Sequence, residues 1–319
     1  MEKILLTGCS GFIGKALKCY LNKQSRYELL LAVREPQKTQ QSNNCVYIDS
    51  LERGDFQLKD KEIDVVIHLA ARAHVLKEKT ANPAELFNQT NVLGTLNLAR
   101  QAMLAGVKRF IFISSIGVNG ASTPIDKAFT ESTEVNPQAL YALSKFNAEK
   151  ALIDLCKDST MELVIIRPPL VYAGCAPGNF QRLLKLVKTG LPIPLANVKN
   201  QRSFIALENL ISFISCCIEH PAAANELFLI SDDERISTPD LFRKISYGMN
   251  KKVLLFSFPQ NILERLAVFM GKKNLYSQLC GSLIIDNSKA KKLLGWSPVI
   301  SADKALLRAG SEFISKNQQ

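Results

Sequence analysis

Tyr141 and Lys145 stand four residues apart in the run YALSK, and on a helix that spacing puts both on one face. A phenol is a poor acid–base catalyst at its ordinary pKa near ~10. A neighbouring ammonium favours the phenolate and lowers that value. The pair can therefore give and take the proton of an alcohol–ketone interconversion. A packing tyrosine beside a solvated lysine has the same spacing, so the pair gains meaning only from its company. Ser114 and Ser115 supply some of it, because they follow the apolar run RFIFI and continue into IGVNG. A hydroxyl at the carboxyl end of such a strand can hold a substrate oxygen.

Alcohol–ketone chemistry also needs a hydride carrier, and the chain opens with a site for one. Gly8, Gly11 and Gly14 follow the apolar run Ile4-Leu5-Leu6 in the pattern T-G-x-x-G-x-x-G, between a strand and a helix. A helix start presents free N–H groups and the positive end of a dipole, which suit a pyrophosphate. Gly8 and Gly11 permit the turn and the close approach, and Gly14 permits helix-on-strand packing. Phe12 and Ile13, the first helical residues, belong to the same cradle. A cofactor with a free ribose 2′-hydroxyl usually meets an Asp or Glu at the end of the next strand. Here that strand ends Ala32-Val33-Arg34. Arginine cannot accept from a hydroxyl but can clamp a 2′-phosphate. NADP(H) is therefore favoured, and the adjacent Glu35 leaves NAD(H) open. Asp49, ending the third strand, is placed to accept from the adenine amino group.

These residues must be positioned by a scaffold. KILLTG, YELLLAVRE, CVYIDS, DVVIHLAA, RFIFISS and ELVIIRPPLV read as six strands. Helices read between them: GFIGKALKCYLNKQ, with Ile13, Leu17, Tyr20 and Leu21 on one face, then a long run ending at Gly106, then ALYALSKFNAEKALIDLCK. Near-continuous apolar strands separated by helices predict an α/β fold, a Rossmann-type doubly wound parallel sheet covered on both faces. The polar stretch REPQKTQQSNN reads as a mobile surface loop. After about residue 167 prolines cluster and the alternation loosens. Residues 1–167 therefore read as the dinucleotide-binding domain. Residues 168–319 read mainly as a smaller substrate lobe, with some elements returning to the first domain.

Composition excludes several other classes. No stretch of the 319 residues reaches the ~20 apolar residues of a membrane span. Glu2 and Lys3 lead straight into a strand, which argues against a signal peptide. Eight scattered cysteines without a CxxC pair read as reduced thiols in the cytoplasm. Three histidines make no metal-ligand pattern with them, so no metal site is expected. The net charge of +11 is spread along the chain without dense blocks or aromatic interleaving. That argues against nucleic acid and for a solvated surface that attracts phosphorylated small molecules.

The motifs TGCSGFIG, VIHLAA, NVLGT, ISSIGV, YALSK, IIRPPLVYAG, KNQRSFIALENL and DNSKAKKLLGWSP occur in that order. In combination they resemble the extended short-chain dehydrogenases/reductases of the nucleotide-sugar epimerase/dehydratase superfamily, across nearly the whole chain. The resemblance implies catalytic roles for Ser115, Tyr141 and Lys145, with Lys145 also holding the nicotinamide ribose. It places Ala70 and Pro168 against the cofactor and ties Asn91 to the site. It implies that Asn179 and Phe180 meet the nucleotide base and that Arg202 pairs with the diphosphate. A homodimer through the helices carrying Asn91 and Tyr141 is left open.

Departures from the family narrow the reaction. The resemblance implies that a 4,6-dehydratase needs Asp-Glu where Ile116 and Gly117 stand, and that a 3,5-epimerising synthase needs a cysteine at Ile116. Asn119 replaces a tyrosine, and Leu170 an asparagine that many 4-epimerases use. The pattern is most similar to the branch of UDP-glucose 4-epimerase-like proteins and UDP-4-keto-6-deoxy-N-acetylhexosamine reductases. The first expectation is an NADP(H)-dependent 4-keto reductase of such a UDP-sugar, in surface-polysaccharide precursor synthesis. The alternative is a UDP-hexose 4-epimerase with retained NAD. A non-catalytic NADP-binding scaffold on the same fold is the third reading, disfavoured because Tyr141 and Lys145 are both present.

Overall fold

The computed structural model describes residues 1–34, 44–48, 50–73 and 82–316. Strands form where the apolar runs lie: β1 (Glu2–Thr7), β2 (Tyr27–Val33), β3 (Cys45–Tyr47), β4 (Val65–His68), β5 (Arg109–Ile113) and β6 (Glu162–Arg167). Pro168 and Pro169 lack the N–H that a ladder needs, and β6 ends before them. The chain then builds a small parallel sheet from β7 (Val171–Tyr172) and β8 (Ile205–Ala206). It returns to the large sheet as β9 (Leu227–Leu229), a seventh strand that the sequence pattern did not reveal. The large sheet is parallel throughout, in the order β3-β2-β1-β4-β5-β6-β9.

Both faces of this sheet are covered, which is why β4 and β5 are buried at every residue. On one face α1 (Phe12–Leu21) packs with α6 (Leu207–Glu219), through Leu17, Leu21, Leu210 and Ile214. Tyr20 of α1 remains 39% exposed, so the buried face is narrower than its apolar periodicity suggested. The other face carries α3 (Gly94–Leu104) and α4 (Leu140–Cys156), through Leu98, Ala99, Ala102, Ala148 and Leu152. Arg109, at the start of β5, donates to the carbonyls of Cys217, Ile218 and His220 and so closes the carboxyl end of α6. A cation is favourable at that end of a helix dipole.

The long helical run before Gly106 is interrupted. After α2 (Pro83–Phe87) the chain makes wide π-helical turns over Asn88–Leu93 before α3 begins. Thr95 Oγ donates back to the Asn91 carbonyl at 2.8 Å, competing with the ordinary ladder at that turn. π-Turns of this kind frequently mark functional positions.

A separate apolar cluster gathers α5 (Asn179–Thr189), α7 (Thr238–Gly248) and α11 (Ala302–Ser315). Between them run α8 (Gln260–Phe269), α9 (Lys273–Cys280) and α10 (Ser288–Leu294). No helix among the described residues is long and apolar enough to cross a membrane. None of their His, Cys, Asp and Glu side chains group as a metal site. None of the eight cysteines forms a disulfide. The loop expected around REPQKTQQSNN falls largely outside the described residues, as does Glu35.

Candidate active site

The opening glycines form a closed turn at the carboxyl end of β1. Gly11 N–H donates to the Gly8 carbonyl at 2.9 Å. Gly8 has φ +68°, and a Cβ there would lie 2.7 Å from the Ala70 backbone nitrogen. A Cβ on Gly14 would lie 2.1 Å from the Gly8 carbonyl oxygen. Only glycine lets β1, β4 and α1 approach this closely. Helix α1 starts at Phe12 with no side-chain cap, so its first N–H groups are left for a ligand. This cradle fits the pyrophosphate of a dinucleotide.

A buried relay runs from that turn towards α4. Ala70 N–H donates to Thr7 Oγ at 3.2 Å, and Thr7 Oγ lies 2.7 Å from His68 Nδ1. His68 Nε2 lies 2.9 Å from Thr95 Oγ. Thr95 spends its own proton on the Asn91 carbonyl. The His68 Nε2–H must therefore donate to Thr95, and Nδ1 accepts from Thr7. Burial, aided by the Lys145 charge, pushes the His68 pKa down to about 3, which keeps the ring neutral. Asn91 continues the chain: its Oδ1 accepts from Arg72 N–H at 2.8 Å, and its Nδ2 donates to Ser144 Oγ at 2.9 Å. Ser144 in turn donates to the Tyr141 carbonyl at 2.8 Å.

Tyr141 lies in the first turn of α4, one turn before Lys145. The Tyr141 ring stands edge-on to Phe87, with centroids 6.5 Å apart, and burial pushes its phenol up to about 12. Burial pulls Lys145 down to about 7, opposed by the charge of Glu149. Lys145 Nζ donates to the Ile113 carbonyl at 2.7 Å and lies 4.4 Å above the Phe112 ring. The expected lowering of the phenol by the ammonium is not what the fold produces: burial raises the phenol, and for Lys145 burial outweighs the attraction of Glu149. Ser115 starts the short turn Ile116–Val118, and its Oγ accepts from Gly117 N–H at 3.1 Å. Its own O–H remains free to donate to a substrate oxygen. Ser114 Oγ is buried without a partner among the described residues. The Pro168 carbonyl accepts from Ile116 N–H at 3.0 Å, which puts Pro168 directly under this turn.

Beside the turn opens a cleft of about 400 Å³, lined by Asn119, Gly120, Phe129, Glu134, Asn136 and Gln138. A larger cleft of about 510 Å³, lined by Glu234, Arg235, Asp240, Arg243, Lys244 and Asp303, contains none of the candidate residues. Its charges largely pair with one another, Arg243 with Asp240 and Lys244 with Asp303. Neither cleft is lined by Ser115, Tyr141 or Lys145; the smaller one adjoins the Ile116–Val118 turn through Asn119.

The remaining candidates are more scattered. Arg34 is exposed where β2 ends, and its guanidinium has no protein partner among the described residues. Asp49 lies outside the described residues. Asn179 begins α5, exposed, and donates to Gln278 Oε1 at 3.1 Å. Phe180 is completely buried against Tyr172, with ring centroids 5.5 Å apart. Its ring belongs to the apolar cluster, which leaves only its backbone for a nucleotide base. Arg202 donates through Nη1 to the Gly281 carbonyl at 2.8 Å, and its other donors have no protein partner among the described residues.

Sequence reasoning missed one whole constellation. Arg167 is buried and makes a two-pronged ion pair with Glu149, at 2.9 and 2.5 Å, and donates to Asn119 Oδ1 at 2.9 Å. Glu149 stands one turn beyond Lys145, so YALSKFNAE carried a signal in its spacing. His68 was weighed only as a metal ligand, and its relay role was missed.

The model of the NAD dependent epimerase/dehydratase family matches residues 4–231. A UDP-glucose 4-epimerase of Vibrio cholerae is 39% identical over 319 residues, covering 100% of this chain and 97% of its own. Among solved structures, UDP-glucuronic acid 4-epimerase from Bacillus cereus, in complex with UDP-glucuronic acid and NAD, superposes with a TM-score of 0.76 at 23% identity, over 99% of each chain. RMD from Pseudomonas aeruginosa, complexed with NADPH, superposes with a TM-score of 0.73 at 20% identity, over 99% of this chain and 100% of its own. The family model over residues 4–231 and the full-length match show that the chain belongs to the NAD dependent epimerase/dehydratase family.

Proposed function

We propose that the protein interconverts the C4 epimers of a UDP-linked hexose. The observation that carries this reading is the 39% identity to a UDP-glucose 4-epimerase along the whole chain. The site chemistry agrees with it. Ile116 and Gly117, beside Ser115, cannot move protons, so a set confined to one alcohol–ketone centre is what remains. A nicotinamide dinucleotide in the Gly8–Gly14 cradle supplies the acceptor and donor of the C4 hydride. Tyr141 removes the proton from O4 as the ketone forms. Ser115 donates its O–H to that oxygen and holds it. Lys145, in its ammonium form one turn away, lowers the cost of the phenolate that this step requires, against the burial that raises it. When the keto-sugar presents its other face, Tyr141 returns the proton to O4. Arg202, with free guanidinium donors, holds the diphosphate, and the Asn179–Phe180 backbone meets the base.

A second reading is the 4-keto reductase of a UDP-4-keto-6-deoxy-N-acetylhexosamine, with NADP(H). Arg34 favours it through a 2′-phosphate. The protonated phenol of Tyr141 is compatible with it, since reduction needs a proton for the alkoxide that forms at O4 as the hydride reaches C4. The test offers purified protein UDP-glucose and UDP-N-acetylglucosamine without added reductant and follows the sugar by NMR. Appearance of the C4 epimer without net cofactor use supports the epimerase. No epimer, with oxidation of NADPH when the keto-sugar is supplied, overturns it in favour of the reductase.

A further inference from the structure

We propose that the α8–α9 hairpin is a docking surface for an anionic lipid bilayer. Ile262, Leu266 and Phe269 recur at i, i+4 and i+7, so they form one stripe along α8. They are 45%, 45% and 88% exposed, and Val268, Met270 and Leu275 extend the patch at 52%, 57% and 48%. The opposite side of the hairpin is anchored. Ala267 is buried, Leu263 and Leu279 pack on the apolar cluster of α5, α7 and α11, and the Leu279 carbonyl accepts from Asn200 Nδ2. The stripe is therefore outward-facing on a helix that is held in place.

Charge decides what covers it. Residues 251–280 carry Lys251, Lys252, Arg265, Lys272 and Lys273 against the single carboxylate Glu264. All five cations are exposed, and none forms an ion pair among the described residues. Some cations elsewhere pair, as Arg26 does with Glu219, and others such as Lys23 and Lys157 do not among the described residues; what sets the hairpin apart is five cations against one carboxylate beside an exposed apolar stripe. A protein–protein interface is depleted of lysine at its core and rewards satisfied charges. An apolar stripe beside lysines that lack carboxylate partners among the described residues, with Arg265 on the stripe itself, instead matches acyl chains below and anionic headgroups above. Arg265 can lay its stem on the apolar surface while its guanidinium reaches a phosphate. The hairpin also adjoins the candidate substrate arm, because α9 ends at Cys280 and the next carbonyl, Gly281, holds Arg202. The bilayer is a surface on which the protein rests; no helix among the described residues is long and apolar enough to span it.

The experiment sediments the full chain with vesicles of phosphatidylcholine alone or mixed with phosphatidylglycerol. Partition into the anionic vesicles is expected, weakening as salt is raised. The double variant Leu266→Ser/Phe269→Ser and the double variant Lys272→Glu/Lys273→Glu should each lower it by roughly tenfold or more. Lys23→Glu/Lys157→Glu makes the same change in net charge outside the hairpin and should leave partition within about twofold. Circular dichroism confirms that each variant is folded; the substituted side chains are exposed. The proposal is overturned by absence of anionic-vesicle binding at low salt, or by equal loss in the Lys23/Lys157 control. It is also overturned if the protein ignores vesicles while sedimenting as a dimer that Leu266→Ser/Phe269→Ser dissociates, since the stripe then covers a second copy. None of these readouts depends on the reaction assigned above.

Discussion

Lys145 stands one helical turn from Tyr141, yet its Nζ is committed to the Ile113 carbonyl at 2.7 Å. That bond ties the middle of α4 to the end of β5, the strand from which Ser114 and Ser115 emerge. The amine is buried, and its pKa falls to about 7. It therefore changes charge near neutrality, where a lysine in water would stay an ammonium. This is a poised group, and poise of this kind is destabilising.

Replacing Lys145 by methionine should make the protein more stable and inactive. The folded pKa lies below the unfolded value near ~10.4, so the unfolded chain binds more protons between about 7 and 10. The lysine's contribution to stability is thus most unfavourable at pH 7 and below, and improves as pH rises through that window. Lys145→Met should gain about 1–2 kcal/mol at pH 7, after the lost hydrogen bond, with the gap closing towards pH 10. Urea denaturation at several pH values reads it. A variant less stable than the parent by a pH-independent amount would show that the buried amine is not a cost.

Tyr141→Phe removes one oxygen from a side chain already held by its ring contact with Phe87. Fold and dinucleotide binding should persist while turnover drops by about 10²–10⁴-fold. Dinucleotide titration and steady-state rates check both halves. Undiminished turnover would place the acid–base group elsewhere.

His68 gives stability a pH dependence of the same sign and cause as Lys145, in a lower pH window. Its folded pKa, near 3, lies below the usual ~6.5, so its contribution is complete above about pH 6.5 and falls as acid protonates the unfolded state. Between pH 6.5 and 5.5 the parent should lose up to about 1.4 kcal/mol more than His68→Gln. Asp232, which burial raises to about 6, acts with the reverse sign but is common to both proteins, so the difference isolates the histidine. Parallel pH dependence in the two proteins would mean that His68 is protonated in its cavity.

What the sequence disclosed and what it hid follow a physical division. β1, β4, β5 and β6 were legible because a strand buried on both faces must be apolar throughout. The glycine turn was legible because the near-contacts of Gly8 and Gly14 exclude any side chain. β9 was hidden, since three residues, Leu227–Leu229, carry no periodicity. The Arg167–Glu149–Asn119 group was hidden because it joins residues that only the folded chain brings together. Phe180 was placed by its position in a motif, and position does not say which way a ring turns; packing sent it into the core. The Tyr141–Lys145 spacing was read correctly, but the balance between charge attraction and desolvation depends on burial, which spacing does not contain.

Arg34 decides between the two dinucleotides and so bears on the reaction. It is exposed at the end of β2 and has no protein partner among the described residues, so nothing in the fold depends on it. Arg34→Ala should leave stability within about 0.5 kcal/mol. Charge-assisted hydrogen bonds to a phosphate contribute roughly 1.5–3 kcal/mol. NADPH binding should therefore weaken about 10–100-fold in the variant, while NADH, which lacks the 2′-phosphate, changes by less than about twofold. Fluorescence titration of both reduced dinucleotides against parent and variant measures the ratio. A selective loss of NADPH would strengthen the reductase reading, because reductive steps draw on the phosphorylated cofactor and must release it. An equal response to both dinucleotides would make Arg34 a solvated surface residue, remove the main support of that reading, and leave an epimerase that keeps its NAD.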